Sequence, residues 1–256
     1  MSKSDQNSTL SKEQIEEVYG LYKNGQFKEA ISQIKALNKI HPNVPLLFNL
    51  IGACYTSLGK LEGAVQMFKT AVSLKPDYAE AHKNLGNTLK ELGRLDESIE
   101  SFVKVTVIDP DLVDAHYNLA NTLKELNRLD ESVESYKRAI AINPNFAQAY
   151  NNLGNAQKEL NQLDNALKSY KRAIAINPDF AQAHNNLGNA YKDLDIHNES
   201  VTSYKKAIQI APDFAEAHYN LGVINKKLRK FDIAVKHFKK AISLKQNFVE
   251  AYNNLG

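Results

Sequence analysis

The sequence predicts an all-α solenoid of antiparallel helix pairs, and three observations carry that expectation. The stretch 147–180 recurs as a near copy 34 residues later at 181–214 and 34 residues earlier at 113–146. Pro42, Pro76, Pro110, Pro144, Pro178 and Pro212 also stand 34 apart. Each copy holds two apolar stripes at helical spacing with a turn between them. In 147–180 the first stripe is Tyr150, Leu153 and Leu160, and the second is Ala166, Leu167, Tyr170, Ala173, Ile174 and Ile176. One helix pair cannot bury its apolar face alone, so neighbours stack and stability grows with repeat number.

Taken in order, residues 1–10 (MSKSDQNSTL) are polar and are expected to be a flexible N-terminus. Counting from the prolines gives seven full repeats, 11–44, 45–78, 79–112, 113–146, 147–180, 181–214 and 215–248, each a helix A followed by a helix B. Residues 249–256 begin an eighth repeat that stops within helix A, which reads as an N-terminal fragment, or a truncated product, of something longer. Repeat one carries Gln14 and Glu17 where inner repeats hold larger packing residues, as suits a face with no preceding neighbour.

The punctuation has physical reasons. Helix A closes on Gly25, Gly59, Gly93, Asn127, Asn161, Asp195 or Arg229, and all but Arg229 are types that tolerate a left-handed residue. A strained or differently shaped turn is expected at Arg229. Asp96, Asp130, Asp164 and Asp232 are expected to open helix B, capping it or facing its positive end. The prolines end helix B because they supply no N–H. Gly52, Gly86, Gly154, Gly188 and Gly222, with Ala120 in the same column, recur in mid-helix A. Glycine there costs about 1 kcal/mol against alanine, so close helix contact is the expected compensation.

Composition excludes several classes. A net charge of +3 is too small to imply nucleic acid or an acidic membrane as partner. One cysteine, Cys54, excludes an internal disulfide framework and suits a reducing compartment. No apolar run approaches the ~20 residues of a membrane span, and the N-terminus lacks a secretory core, so a cytoplasmic location is expected. The sequence holds no phosphate-binding glycine loop, paired-cysteine metal spacing or nucleophile motif; no catalytic residue, metal site or cofactor is expected. His82, His116, His184 and His218 form a column. Parallel imidazoles on helices ~8–10 Å apart would not converge on one ion, so half-buried packing histidines are the expectation.

Phe48, Ile51, Gly52, Tyr55, Ala64, Phe68, Ala71 and Pro76 in the second repeat stand at offsets where the chain resembles the tetratricopeptide (TPR) family, and the resemblance runs from Ser11 to the end. It implies a right-handed superhelix whose helix A positions line a concave surface. At position 6 of successive repeats stand Asn84, Asn118, Asn152, Asn186, Asn220 and Asn254; at position 9 stand Asn87, Asn121, Asn155 and Asn189, drifting to Val223 in repeat seven. A carboxamide both donates and accepts, so it can hold a peptide bond without reading a side chain. The column resembles the asparagine ladder in the superhelix of O-linked N-acetylglucosamine transferases, which implies an extended peptide as ligand. Inheritance by repeat duplication explains the same column, and both readings stay open.

Lys83, Asn87 and Asn118 match part of the family's carboxylate clamp for chaperone tails. Gln148 and Asn152 stand where its remaining cations belong, so the clamp is incomplete and argues against a heat-shock chaperone partner. Lys90, Lys124, Lys158, Lys192 and Lys226 form a column followed by Glu91, Glu125, Glu159, Asp193 and Lys227, a mixed lining suited to ligand backbone and carboxylates. Lys137–Arg138, Lys171–Arg172, Lys205–Lys206 and Lys239–Lys240 line helix B, but without interleaved exposed aromatics they read as a solvated face rather than a nucleic-acid track. The function expected is a peptide-binding module, not itself an enzyme, of the kind found as a recruiting arm in bacterial TPR-enzyme fusions. The alternatives are a self-associating scaffold, with contact through the open C-terminal end, and the substrate-recognition part of a glycosyltransferase-like enzyme.

Overall fold

The computed structural model describes residues 10–255, so the expectation for 1–10 falls almost wholly outside the described residues. Leu10 itself packs on the first core cluster. The described residues form helices and no strands, in two compact units divided after Leu126. The first unit holds α1 (Lys12–Lys23), α2 (Phe27–Ile40), α3 (Pro45–Ser57), α4 (Leu61–Leu74), α5 (Ala79–Glu91), α6 (Leu95–Ile108) and α7 (Val113–Glu125). The second holds α8 (Leu129–Ile142), α9 (Ala147–Glu159), α10 (Leu163–Ile176), α11 (Ala181–Asp193), α12 (His197–Ile210), α13 (Ala215–Lys227), α14 (Phe231–Leu244) and α15 (Val249–Leu255). Within each unit, consecutive helices pack as hairpins and hairpins stack on their neighbours, the all-α solenoid arrangement.

The turn chemistry follows the sequence. Gly25, Gly59 and Gly93 have φ of 75°, 69° and 73°, and Asn127, Asn161 and Asp195 have 58°, 58° and 59°. Gly93 N–H bonds Lys90 O and Arg94 N–H bonds Leu89 O, both at 2.9 Å, which satisfies the carbonyls at the end of α5. Arg229 takes φ 58°, so its turn keeps the common shape and the departure lies in the residue, at a backbone cost of about 1–2 kcal/mol.

Of the two roles expected of the aspartates, the structure keeps the second: helix B begins two residues earlier than a capping role needs, at Leu95, Leu129, Leu163 and Phe231. The cap positions Arg94, Arg128, Gln162 and Lys230 make no side-chain cap bond. Asp96, Asp130, Asp164 and Asp232 lie inside the first turn, where a carboxylate favours the positive helix end but caps nothing. A side-chain cap forms at Ser11, whose Oγ accepts from Gln14 N–H at 3.2 Å while Gln14 Oε1 accepts from Ser11 N–H at 2.9 Å.

The mid-helix glycines face the aromatic at position 24 of their own repeat. A Cβ on Gly154 would sit 2.6 Å from Tyr170 Cε1, and one on Gly52 2.5 Å from Phe68 Cε1. Those rings are the largest buried side chains of the stack, Phe68, Phe102, Tyr136, Tyr170, Tyr204 and Phe238. The histidine column fastens one repeat to the next. His82, His116, His184 and His218 donate Nε2–H to the carbonyls of Pro76, Pro110, Pro178 and Pro212 at 3.0, 2.8, 2.9 and 3.1 Å. The proline that ends helix B thus offers its carbonyl to the first turns of the next helix A. Cys54 is fully buried, and burial pushes its thiol up to about 11, which makes it a packed hydrophobe.

Candidate functional site

Helix A places positions 6 and 9 on one face because three residues advance a helix by nearly one turn. At position 6 the carboxamides bond across repeats under one rule: Nδ2–H reaches the residue at position 5 of the preceding repeat. Asn84 donates to Asn49 Oδ1 at 3.1 Å, Asn186 to Asn151 Oδ1 at 3.0 Å, and Asn220 to Asn185 Oδ1 at 3.0 Å. Asn254 reaches Tyr219 Oη at 3.4 Å. Asn152 Oδ1 accepts from Asn151 Nδ2 at 3.2 Å. Asn118 follows Lys83, which offers no acceptor, and its carboxamide makes no hydrogen bond among the described residues.

Position 9 obeys a second rule that the sequence reading missed. Tyr170 Oη donates to Asn155 Oδ1 at 2.8 Å, and Tyr204 Oη to Asn189 Oδ1 at 2.7 Å. Asn155 Oδ1 also accepts from Asn186 Nδ2 at 3.1 Å. Both tyrosines are fully buried, and burial raises their hydroxyl pKa values well above the ordinary phenol. A hydroxyl taken that far from water needs an acceptor, and asparagine supplies it. The signal was present in the sequence: Asn121 pairs by offset with Tyr136, Asn155 with Tyr170 and Asn189 with Tyr204, while Ala53 and Val223 stand opposite Phe68 and Phe238. Asn87 stands opposite Phe102, is exposed and makes no side-chain hydrogen bond among the described residues.

The lysine column is also bonded across repeats. Lys90 Nζ pairs with Glu125 Oε1 at 2.7 Å, and Lys158 Nζ with Asp193 Oδ2 at 3.1 Å. Lys226 Nζ lies 3.2 Å from Asn254 O, and Lys124 is likewise engaged. Lys192 meets Lys227 at the offset where the next repeat elsewhere supplies an acid, and it makes no ion pair among the described residues. In the first unit, Lys83, Asn87 and Asn118 therefore keep their full polar capacity. Of these, Asn87 lines a cavity of about 170 Å³ together with Tyr22, Ser57, Phe68, Asn84 and Thr88.

Several of the helix B basic residues are tied to their surroundings. Lys137 pairs with Glu134 at 2.7 Å, Lys171 lies 5.6 Å from the Tyr191 ring centroid, and Arg172 lies 6.0 Å from that of Tyr150. Among the described residues no group of three or more His, Cys, Asp or Glu side chains is placed to hold a metal ion. No described helix is long and apolar enough to cross a membrane.

Family models for the "TPR repeat" match 52–93, 86–127, 120–161, 158–195 and 197–228, and the model for the "Tetratricopeptide repeat" matches 215–248. The chain belongs to the tetratricopeptide-repeat family. A crystal structure of MamA resembles this TPR protein with 29% identity and a TM-score of 0.62, covering 65% of this chain and 97% of MamA. A YrrB structure, described as a TPR protein with an unusual peptide-binding site, is 20% identical with a TM-score of 0.59 and covers 74% of this chain and 97% of YrrB. The C-terminal part of a TPR repeat-containing protein from Cytophaga hutchinsonii matches with a TM-score of 0.76 and 18% identity, covering 94% of this chain and 99% of that one, which speaks to fold alone. No curated protein matches the chain. A TPR array is a protein-interaction module, and the described residues form helices of such an array.

Proposed function

We propose that this TPR protein holds an extended polypeptide segment along positions 6 and 9 of its helices A, contacting backbone and carboxylate groups rather than reading side chains. One observation carries the reading: internal bonds fix most carboxamides of the row yet leave each a polar valence. Asn84 and Asn220 each place an N–H on the preceding repeat and keep Oδ1 for a ligand N–H. Asn186 uses both N–H groups and also keeps Oδ1. A carboxamide already held in place loses little rotamer freedom on binding, which favours a weak but additive grip. Lys83, Asn87 and Asn118 supply the fully open donors, and Asn87 lines the cavity it shares with Asn84.

The test is an array of unstructured peptides, with fluorescence anisotropy on the strongest binders. Because Asn87 and Asn118 hold no internal bond, N87A/N118A should weaken binding about 5- to 150-fold, the sum of two bonds at ~0.5–1.5 kcal/mol each, and leave the urea midpoint unchanged or slightly raised, since alanine is the better helix former. Affinity unmoved by that pair would place the ligand elsewhere. A second reading, self-association, rests on the exposed Phe231, Ile233, Val249 and Tyr252 of α14 and α15. A monomer mass by sedimentation, unchanged across a dilution series, would exclude it.

A further inference from the structure

Repeats three and four each close an arginine–glutamate pair across positions 16 and 19. Arg94 Nε and Nη2 donate to Glu97 Oε1 and Oε2, both at 2.7 Å, and Lys69 Nζ adds a contact at 2.9 Å. Those partners hold the Glu97 carboxyl down to about 2, the Arg94 hydrogen bonds being the largest cause. Arg128 grips Glu131 in the same fork at 2.7 and 2.6 Å. Repeat five exchanges both members for neutral residues, with Asn165 Nδ2 on Gln162 Oε1 at 3.3 Å. Repeat six keeps the carboxylate, Glu199, but has Ile196 where the arginine would be, so Glu199 makes no ion pair among the described residues.

The orphaned carboxylate lines a cavity of about 480 Å³ between α11 and α12, floored by Leu187 and Tyr191 and edged by His184 and Thr202. The corresponding groove of repeat three, where Glu97 is doubly paired, measures about 250 Å³. His184 spends Nε2–H on Pro178 O, which leaves Nδ1 as an acceptor. The two cations nearby are already placed: Lys171 lies over the Tyr191 ring at 5.6 Å, and Lys206 Nζ is 3.3 Å from Gln209 Oε1. The groove thus offers two unfilled acceptors over an apolar floor, with the Lys171 and Lys206 ammonium groups at its edge engaged elsewhere and neither paired with Glu199.

We infer that this groove receives an arginine side chain from a partner polypeptide, the guanidinium completing with Glu199 the fork that Arg94 and Arg128 complete within their own repeats. The planar fork matches a carboxylate through two parallel N–H bonds, which an ammonium cannot reproduce. The site uses positions 4, 7 and 11 of helix A with helix B, apart from positions 6 and 9, so its failure would not touch the peptide reading above. The probe is the tripeptide acetyl-Ala-Arg-Ala-amide, titrated by amide-resolved NMR, with the citrulline tripeptide as the uncharged isostere. Saturable shifts at Tyr191, Glu199 and Thr202 are expected with the arginine probe. E199Q should weaken them at least 5-fold, and I196R, which supplies the missing arginine in place, should abolish them. Equal response to the citrulline or a glutamate tripeptide, or binding undiminished in E199Q, would overturn the proposal. E199Q changes no internal contact, so it remains decisive should I196R fail to fold.

Discussion

The bond between Tyr204 and Asn189 predicts its own double-mutant cycle. Tyr204 is fully buried and donates to Asn189 Oδ1 at 2.7 Å. Y204F removes the hydroxyl and leaves a half-exposed carboxamide that water can serve, so the loss is one net hydrogen bond, about 0.5–1.5 kcal/mol. N189A instead strands the hydroxyl away from water, at about 1–3 kcal/mol. The nearby Ser200, whose Oγ bonds Gly188 O at 2.9 Å, offers partial relief and favours the lower half of that range. Alanine returns up to ~0.7 kcal/mol in helix propensity. The double variant recreates the Ala53–Phe68 pair of repeat two and should cost little more than Y204F alone, a coupling of about 1 kcal/mol. Urea unfolding, read with hydrogen exchange over 181–210 because repeat arrays need not unfold in one step, measures all four corners. Additive costs would show that the hydroxyl does not require asparagine at position 9.

Three further outcomes are expected. His218 and His237 share a contact at 3.1 Å, Nδ1 to Nδ1, in which His218, whose Nε2–H serves Pro212 O, must accept and His237 donate. Burial is the main cause pushing both below their ordinary 6.5, His237 to about 4. The unfolded chain therefore takes up protons first, and stability should fall as pH drops from about 6.5 to about 4; in H237S, which carries the serine of repeats three to six at that offset, the urea midpoint should fall less between pH 7.5 and 5. G154A should destabilise by about 1–3 kcal/mol in thermal melts, since its Cβ meets the Tyr170 ring at 2.6 Å, a clash larger than the ~1 kcal/mol of helix propensity it returns. Random RNA should bind only weakly and be released near physiological salt, and charge reversal at Arg138, Arg172 and Lys206 should change that little, as filter binding across a salt series would show.

The fold was legible because its determinants are local and repeated. A glycine or asparagine that must turn left, a proline that must stop a helix and two apolar stripes recur often enough to align themselves. The aspartates read as possible caps because Asp96 follows a turn and precedes an apolar stripe, yet the helix already opens two residues earlier, at Arg94, without a side-chain cap. Columns on helix A were visible as columns, but their bonding was not. Whether Asn118 is engaged depends on Lys83, 35 residues earlier, and a reading by identical offsets compares like positions rather than position 6 with position 5. The drift to Val223 at position 9 goes with Phe238 beneath it, which has no hydroxyl to satisfy.

The missing bond at Asn118 has a consequence for how the chain comes apart. A stack of repeats behaves as a one-dimensional lattice, in which the coupling across each junction decides whether neighbours melt together or separately. The junctions before α5, α11 and α13 each carry a carboxamide link. The junction between α5 and α7 lacks it at Asn118, and the lost link weakens the cooperativity there by about one hydrogen bond, ~0.5–1.5 kcal/mol. The same junction is still crossed by the Lys90–Glu125 pair at 2.7 Å and by the His116–Pro110 bond at 2.8 Å, so it loosens first on the carboxamide face while the rest of the seam holds.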